Sequence, residues 1–414
     1  PAGSDRAEVA GRAGGHAQAL LQWFDVLPES EAFYQSLCQN EDSLDRVLAI
    51  LERAPVLVDP FRASVGLSEL LISGELEEED DPVARFRALP LDAPLSQLAE
   101  AYLRARTVLL AQGVLGSRQV AAELSDLADA LLHHCLDRLS AEFDTLALGS
   151  YGVRCLSPNS DLDLLLLVPD DRSQANAEAQ AQSLLGMVSN LRRYGVSLSL
   201  DLRLRPDGGK GLLVRTYAGF SQYDLHGMEM WERFALCQAR GVRARPEALA
   251  LARQAAVSMP LDSERIDELL AMKRRIDTER VPAQHAARHI KLGVGGLGDL
   301  EWFVHLHEMK DPERTRATES TEMPERIRAL ARAGWIHAVE AEELGQAFAY
   351  YQELRNRLAL LGIPNDTMPE NPDKLDRLAR SMGLEDGNEL LRRHQPIVGR
   401  VRSIFVEGIE RLTR

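Results

Sequence analysis

Ser160-Asp-Leu-Asp-Leu-Leu-Leu-Leu-Val168 is the stretch on which the fold turns. Its apolar run reads as a buried strand, and a side-chain period of two puts Asp161 and Asp163 on one face with Leu162 and Leu164 on the other. Both carboxylates then point to the same place. Upstream, Leu146-Ala-Leu-Gly-Ser150 ends an apolar run in a Gly-Ser turn. Downstream, Ser197-Leu-Ser-Leu-Asp-Leu-Arg-Leu-Arg205 alternates more strictly, with Leu198, Leu200, Leu202 and Leu204 on the core side and Ser199, Asp201, Arg203 and Arg205 opposite.

Three carboxylates at the ends of adjacent strands repel each other and raise one another's pKa values unless a divalent cation neutralises them. Asp161, Asp163 and Asp201 are therefore the candidate catalytic and metal-binding set. Mg2+ is the natural ion, because oxygen-only ligands suit a hard cation that keeps some waters and bridges to phosphates. Gly149 and Ser150 are candidate phosphate contacts: glycine admits close backbone approach and the serine hydroxyl donates to phosphate oxygens. Arg203 and Arg205 are placed to neutralise phosphate charge during transfer. Singly, these features read as a solvated strand end, an ordinary turn and a polar sheet surface. Their order and spacing join them into a site for metal-assisted nucleotidyl transfer.

Two further segments carry possible chemistry. Arg205-Pro-Asp-Gly-Gly-Lys-Gly-Leu-Leu-Val214 is either a turn between strands or a loop that closes over a nucleotide with Lys210 on its phosphate. Lys291-Leu-Gly-Val-Gly-Gly-Leu-Gly-Asp-Leu-Glu301 precedes a helical pattern and reads equally as an anion-binding helix start, with Lys291 beside it, or as a tight packing turn. Asp299 and Glu301 add metal, nucleotide or structural contact to the choices. The nearby His289, His305 and His307 are read as packed or solvated side chains.

The fold class expected is α+β, mostly α: a nucleotidyltransferase-type mixed-sheet core at 140–250, an N-terminal helical domain at 17–139, a C-terminal helical bundle at 251–414 and a flexible segment at 1–16. The long amphipathic segment 117–139, with Val120, Leu124, Leu127, Leu131 and Cys135 in one stripe, leads into the first strand. Residues 174–194 read as the helix between the two acidic strands, and further helices are expected at 263–277, 324–332, 338–361, 374–382 and 388–412. The acidic run Gly74 to Pro82 reads as a solvated linker or loop.

At 414 residues the chain has room for two or three domains, and its 45% apolar and 27% charged content is that of a soluble globular protein. A net charge of −15 argues against general nucleic-acid binding, which needs a basic surface to release counterions. Cys38, Cys135, Cys155 and Cys237 form no paired motif, so a reducing, cytoplasmic setting is expected, with neither disulfides nor a zinc site. No apolar window is long enough to span a membrane. Pro1 in place of Met points to a processed or trimmed chain.

The sequence resembles the glutamine synthetase adenylyltransferases of the DNA polymerase beta-like nucleotidyltransferase superfamily. The resemblance rests on Leu124-Ser-Asp-Leu-Ala-Asp-Ala-Leu-Leu132, Ser160-Asp-Leu-Asp-Leu164, Asp201-Leu-Arg-Leu-Arg-Pro206, Gly211-Leu-Leu-Val214, Trp231-Glu-Arg-Phe-Ala-Leu236 and the glycine motif from Lys291 to Phe303. It implies ATP as substrate, transfer of AMP to a tyrosine of glutamine synthetase, and a nitrogen-regulatory signalling protein as a further partner. The alternatives are phosphorolytic removal of that AMP with release of ADP, and a non-catalytic regulator of the same fold. The family usually carries two nucleotidyltransferase units where this chain has one, and Gly-Lys-Leu-Gly-Gly where this chain has Gly149-Ser-Tyr-Gly-Val153.

Overall fold

Five short strands organise the chain in the computed structural model, which describes residues 2–28, 30–116, 120–205, 211–315 and 320–413. They are β1 (Asp144–Ala147), β2 (Leu162–Val168), β3 (Leu200–Asp201), β4 (Val214–Thr216) and β5 (Arg240–Arg243). The sheet runs β3-β2-β1-β5, with β4 also paired to β2. β1 is antiparallel to β2 and β5, whereas β3 and β4 run parallel to β2 at its beginning and its end.

β2 is buried on both faces, which explains its unbroken leucine run. Leu162, Leu164, Leu166 and Val168 join one large core with helices Leu95–Leu115, Val120–Arg138 and Asp171–Leu191, while Leu165 and Leu167 pack with Leu146, Leu148, Phe220 and Ala252 on the other side. The alternation read from the sequence therefore holds, and Asp163 shares the face of Leu165 and Leu167. Helix Asp171–Leu191 makes the parallel crossover, started by Asp170, whose carboxylate accepts from Arg172 N and Ser173 N.

The surrounding structure is helical, as expected of a mostly α chain. The predicted stripe Val120, Leu124, Leu127, Leu131 and Cys135 is buried throughout. Helices Ser263–Glu279, Met323–Arg332, Ala338–Leu360, Pro372–Ser381 and Gly387–Thr413 lie within a few residues of their predicted bounds.

Three expectations are corrected. The N-terminal segment read as flexible is a helix, Ala2–Ala13, that buries Val9 and Ala13 in the large core. The acidic run is not simply solvated: Leu76 is buried, and Glu79 takes a two-pronged contact from Arg104 at 2.8 and 2.9 Å. The second acidic strand shrinks to Leu200–Asp201, because the chain turns after Leu202 and Leu204 packs into the opposite core. No helix among the described residues is long and apolar enough to cross a membrane, and all four cysteines are free.

Candidate active site

Strand pairing places Asp163 directly beside Asp201 across β2 and β3, with Leu162 N donating to Ser199 O at 2.9 Å to extend the ladder. Asp161 precedes β2 at an exposed position, after a turn in which Ser160 Oγ accepts from Ser157 N at 3.0 Å. The half-buried Asp163 carboxyl is pushed up from 3.8 to about 6, first by burial, then by Asp201, with Asp161 adding to the effect while Lys291 and Arg203 oppose it.

Asp201 stands oppositely, held below the usual carboxylate range chiefly by Arg203. Arg203 N donates to Asp201 Oδ1 at 2.8 Å, and Arg203 Nε reaches Oδ2 at 2.9 Å. The Arg203 side chain is 79% exposed, so this cation is a removable cover rather than a core element.

Gly149 follows β1 with φ +56°, and a Cβ there would lie 2.3 Å from Asp163 Oδ2. The turn therefore needs glycine for two reasons, a left-handed backbone and a carboxylate occupying the side-chain space. Ser150 lies in the same short turn, Gly149–Gly152, whose far end is pinned by a second glycine: a Cβ on Gly152 would lie 2.0 Å from Gln238 O.

Two ion pairs clamp this turn from helix Val120–Arg138, through residues not singled out as functional from the sequence. Asp126 takes both Arg154 nitrogens at 2.6 and 2.9 Å, and Asp129 takes both Arg240 nitrogens at 2.8 and 3.0 Å. Tyr151 is fully buried, donates its hydroxyl to Asp129 and lies under the Arg240 guanidinium, 5.1 Å from ring centre to cation. The signal was present as Asp126-x-x-Asp129, two acids at helical spacing on one face.

Arg205 departs from its expected role. Its guanidinium is 7% exposed and donates to Leu202 O at 2.5 Å, Gly211 O at 3.1 Å and Leu212 O at 3.1 Å. It ties Leu202 to Gly211 and Leu212, and the turn after Leu202 is what carries it inward. Lys210 lies outside the described residues.

The glycine motif resolves in favour of the packing turn. Gly293 N, Gly296 N, Leu297 N and Gly298 N donate to carbonyls of His289, Gly293, Ile290 and Lys291, and Gly295 N donates to Asp299 Oδ2 at 2.8 Å. Those N–H groups are spent within the turn. The glycines are required by crowding: a Cβ on Gly295 (φ +71°) would lie 2.2 Å from Val398 O, and one on Gly293 2.4 Å from His289 O. Asp299 is a structural anchor, buried between Lys273 Nζ at 2.5 Å and Arg402 Nη1 at 3.1 Å. Lys291, at the head of the turn, lies near enough for its charge to oppose the rise in the Asp163 pKa. His305 and His307 are buried, and burial pushes both down, His307 to about 4.

Among the described residues no three His, Cys, Asp or Glu side chains lie close enough to hold a metal ion. Asp163 and Asp201 are register partners across β2 and β3, so the carboxylates available to a hard cation there are two. That suits Mg2+, which is commonly held by one or two carboxylates with the remaining positions given to water and phosphate.

Residues 94–255 match the family model described as glutamate-ammonia ligase adenylyltransferase, and residues 264–407 match that described as GlnD PII-uridylyltransferase. The chain is similar to the bifunctional glutamine synthetase adenylyltransferase/adenylyl-removing enzyme of Streptomyces coelicolor, 29% identical over 93% of this chain and 40% of that protein. The Mycobacterium avium protein of the same description is 28% identical over 93% of this chain and 45% of its own length. A Neisseria meningitidis serogroup A relative, also so described, is 28% identical over 58% of this chain and 28% of its own length. The chain thus spans less than half the length of these relatives.

Proposed function

We propose, from the match of residues 94–255 to the glutamate-ammonia ligase adenylyltransferase family model, that this protein is a nucleotidyltransferase moving AMP from ATP to a tyrosine hydroxyl of glutamine synthetase. The observation that carries the reading is the Asp163 carboxylate, half-buried, charged against its neighbour Asp201 and seated on Gly149. A costly pair of like charges at the mouth of a glycine turn is useful where a phosphate-bound cation arrives with the substrate.

In this reading Asp163 and Asp201 hold Mg2+, with Asp161 at the exposed edge of the same site. The ion, when bound, neutralises charge on the phosphate oxygens and favours attack at phosphorus. Gly149 leaves room for the Asp163 carboxylate at the start of the turn, and the Ser150 hydroxyl donates to the triphosphate. Arg203 leaves Asp201 and follows the departing pyrophosphate, while Lys291 approaches from the opposite segment. Catalysis then rests on positioning and charge neutralisation. The tyrosine hydroxyl releases its proton to solvent, and its oxygen forms the bond to the alpha phosphorus as the bond to pyrophosphate breaks.

The reverse activity, in which phosphate attacks the AMP–tyrosine bond and ADP leaves, is the second reading. The names of the relatives carry both activities. A nitrogen-signalling protein is a further proposed partner, prompted by the match of residues 264–407.

The test is incubation with Mg2+, alpha-labelled ATP and unmodified glutamine synthetase. Label on the synthetase with pyrophosphate release supports the forward reading. ADP release from adenylylated synthetase and phosphate, without forward transfer, supports the reverse one. Failure of both reactions in the wild type, or undiminished turnover in Asp163→Asn, overturns the reading.

A further inference from the structure

A cleft of about 550 Å3, none of whose lining residues belongs to the carboxylate site, opens where N-terminal helices Ala17–Phe24, Glu41–Arg53 and Val58–Arg62 meet helix Pro372–Ser381. That size suits a small molecule. Arg62 reaches it from one wall, Arg377 and Arg380 from the other.

Arg377 is already aimed. Its Nε donates to Glu52 O at 3.0 Å and its Nη2 to Leu51 O at 2.8 Å, two carbonyls at the end of a helix, which fixes the guanidinium plane and leaves Nη1 for a ligand. The counter-charges are weak. Glu52 stands 3.4 Å from Arg380, and Asp59, with a side chain 90% exposed, stands 3.5 Å from Arg62. Three guanidiniums facing two loosely held carboxylates make a local positive excess in a chain of net charge −15. Burial holds Arg377 below the usual guanidinium range, and Arg380 adds to this while Glu52 opposes it. Leu51, Pro55 and Val58 give the same cleft an aliphatic wall.

We propose that this cleft binds a small metabolite bearing an oxyanion, held by Arg62, Arg377 and Arg380, with its carbon skeleton over Leu51, Pro55 and Val58. Planar guanidiniums bind carboxylate and phosphate oxygens alike, so the shared chemistry is the oxyanion. The ligand would brace the N-terminal helices against helix Pro372–Ser381. That helix follows the segment whose Asp366 O and Met368 N bond Ile290 N and Arg288 O, immediately ahead of Lys291. Occupancy would thus be felt at the loop that presents Lys291.

The experiment is titration calorimetry on the full chain, in EDTA at fixed ionic strength, with inorganic phosphate and with succinate as separate probes. Wild type, Arg62→Gln and Arg380→Gln are compared, the latter two altering side chains that are 37% and 50% exposed and so spare the core. Saturable binding of at least one probe is expected, weakened about tenfold or more by either substitution, as loss of a charge-assisted bond requires. Phosphate alone would identify a phosphate-bearing ligand, and succinate alone a carboxylate-bearing one. Absence of saturable heat from both probes overturns the proposal. So does binding of equal strength in both variants, since that would place the anion elsewhere.

Discussion

A methyl group on Gly149 would fall 2.3 Å from Oδ2 of Asp163, so the residue that begins the turn Gly149–Gly152 and the half-buried acid of β2 compete for the same space. Gly149→Ala therefore adds two penalties. Left-handed backbone at φ +56° costs a non-glycine residue about 1–2 kcal/mol, and the methyl group displaces the carboxylate as well. The variant should melt at lower temperature and lose about 100-fold or more in turnover, because a small displacement of a reacting group is expensive. A variant destabilised but fully active would show that Asp163 moves aside freely.

The raised Asp163 pKa fixes the sign of a pH effect on the metal-free protein. Between 3.8 and about 6 the folded state binds more protons than the unfolded chain, so this contribution is present below 3.8 and is lost as pH rises through about 6. Stability in EDTA should fall across that window by no more than ~3 kcal/mol from this group. Mg2+ should restore it at the upper end, and Asp163→Asn should abolish the slope while removing turnover. Thermal melts at several pH values, with and without Mg2+, read all three. An unchanged slope in Asp163→Asn would assign it to other groups.

How much of this was legible depended on the range of the physics involved. The face of Asp163 followed from a period of two within one strand, and the helix bounds from apolar spacing and proline breaks, all local patterns. Arg205 was misjudged for an equally local reason: the alternation in the sequence continues through Arg205, but the chain turns after Leu202 and carries the guanidinium to the carbonyls of Gly211 and Leu212. The glycine motif admitted two readings because composition does not say where N–H groups point. The structure spends those around the turn on its own carbonyls and on Asp299. The Asp129–Arg240 clamp joins residues 111 positions apart, so the helical spacing of Asp126 and Asp129 marks an acidic face but nothing local names its cationic partner.

That clamp carries its own test. Asp129 and Arg240 side chains are 14% and 12% exposed, and removing one partner leaves the other buried without a counter-charge. Asp129→Asn should cost about 3 kcal/mol, the usual penalty for breaking a buried pair from one side. Arg240→Gln should cost a similar amount, and the double variant clearly less than the two losses added together. Urea unfolding of the four proteins checks this. Additive losses would mean that Tyr151, not Asp129, is what Arg240 serves.

Lys291 is the cation that lowers the Asp163 pKa from outside its own strand pair. With Lys291→Gln, burial, Asp201 and Asp161 all continue to push Asp163 upward while only Arg203 opposes them. The acid limb of the kcat/KM profile should therefore move to higher pH, since the active form needs Asp163 ionised and its proton is held more tightly. The effect should shrink as Mg2+ is raised, because the ion supplies the missing positive charge. Profiles at low and high Mg2+, for wild type and variant, separate two roles for the lysine. A shifted limb means that it acts on Asp163, whereas an unmoved limb with a raised KM for nucleotide means that it contacts only the phosphates.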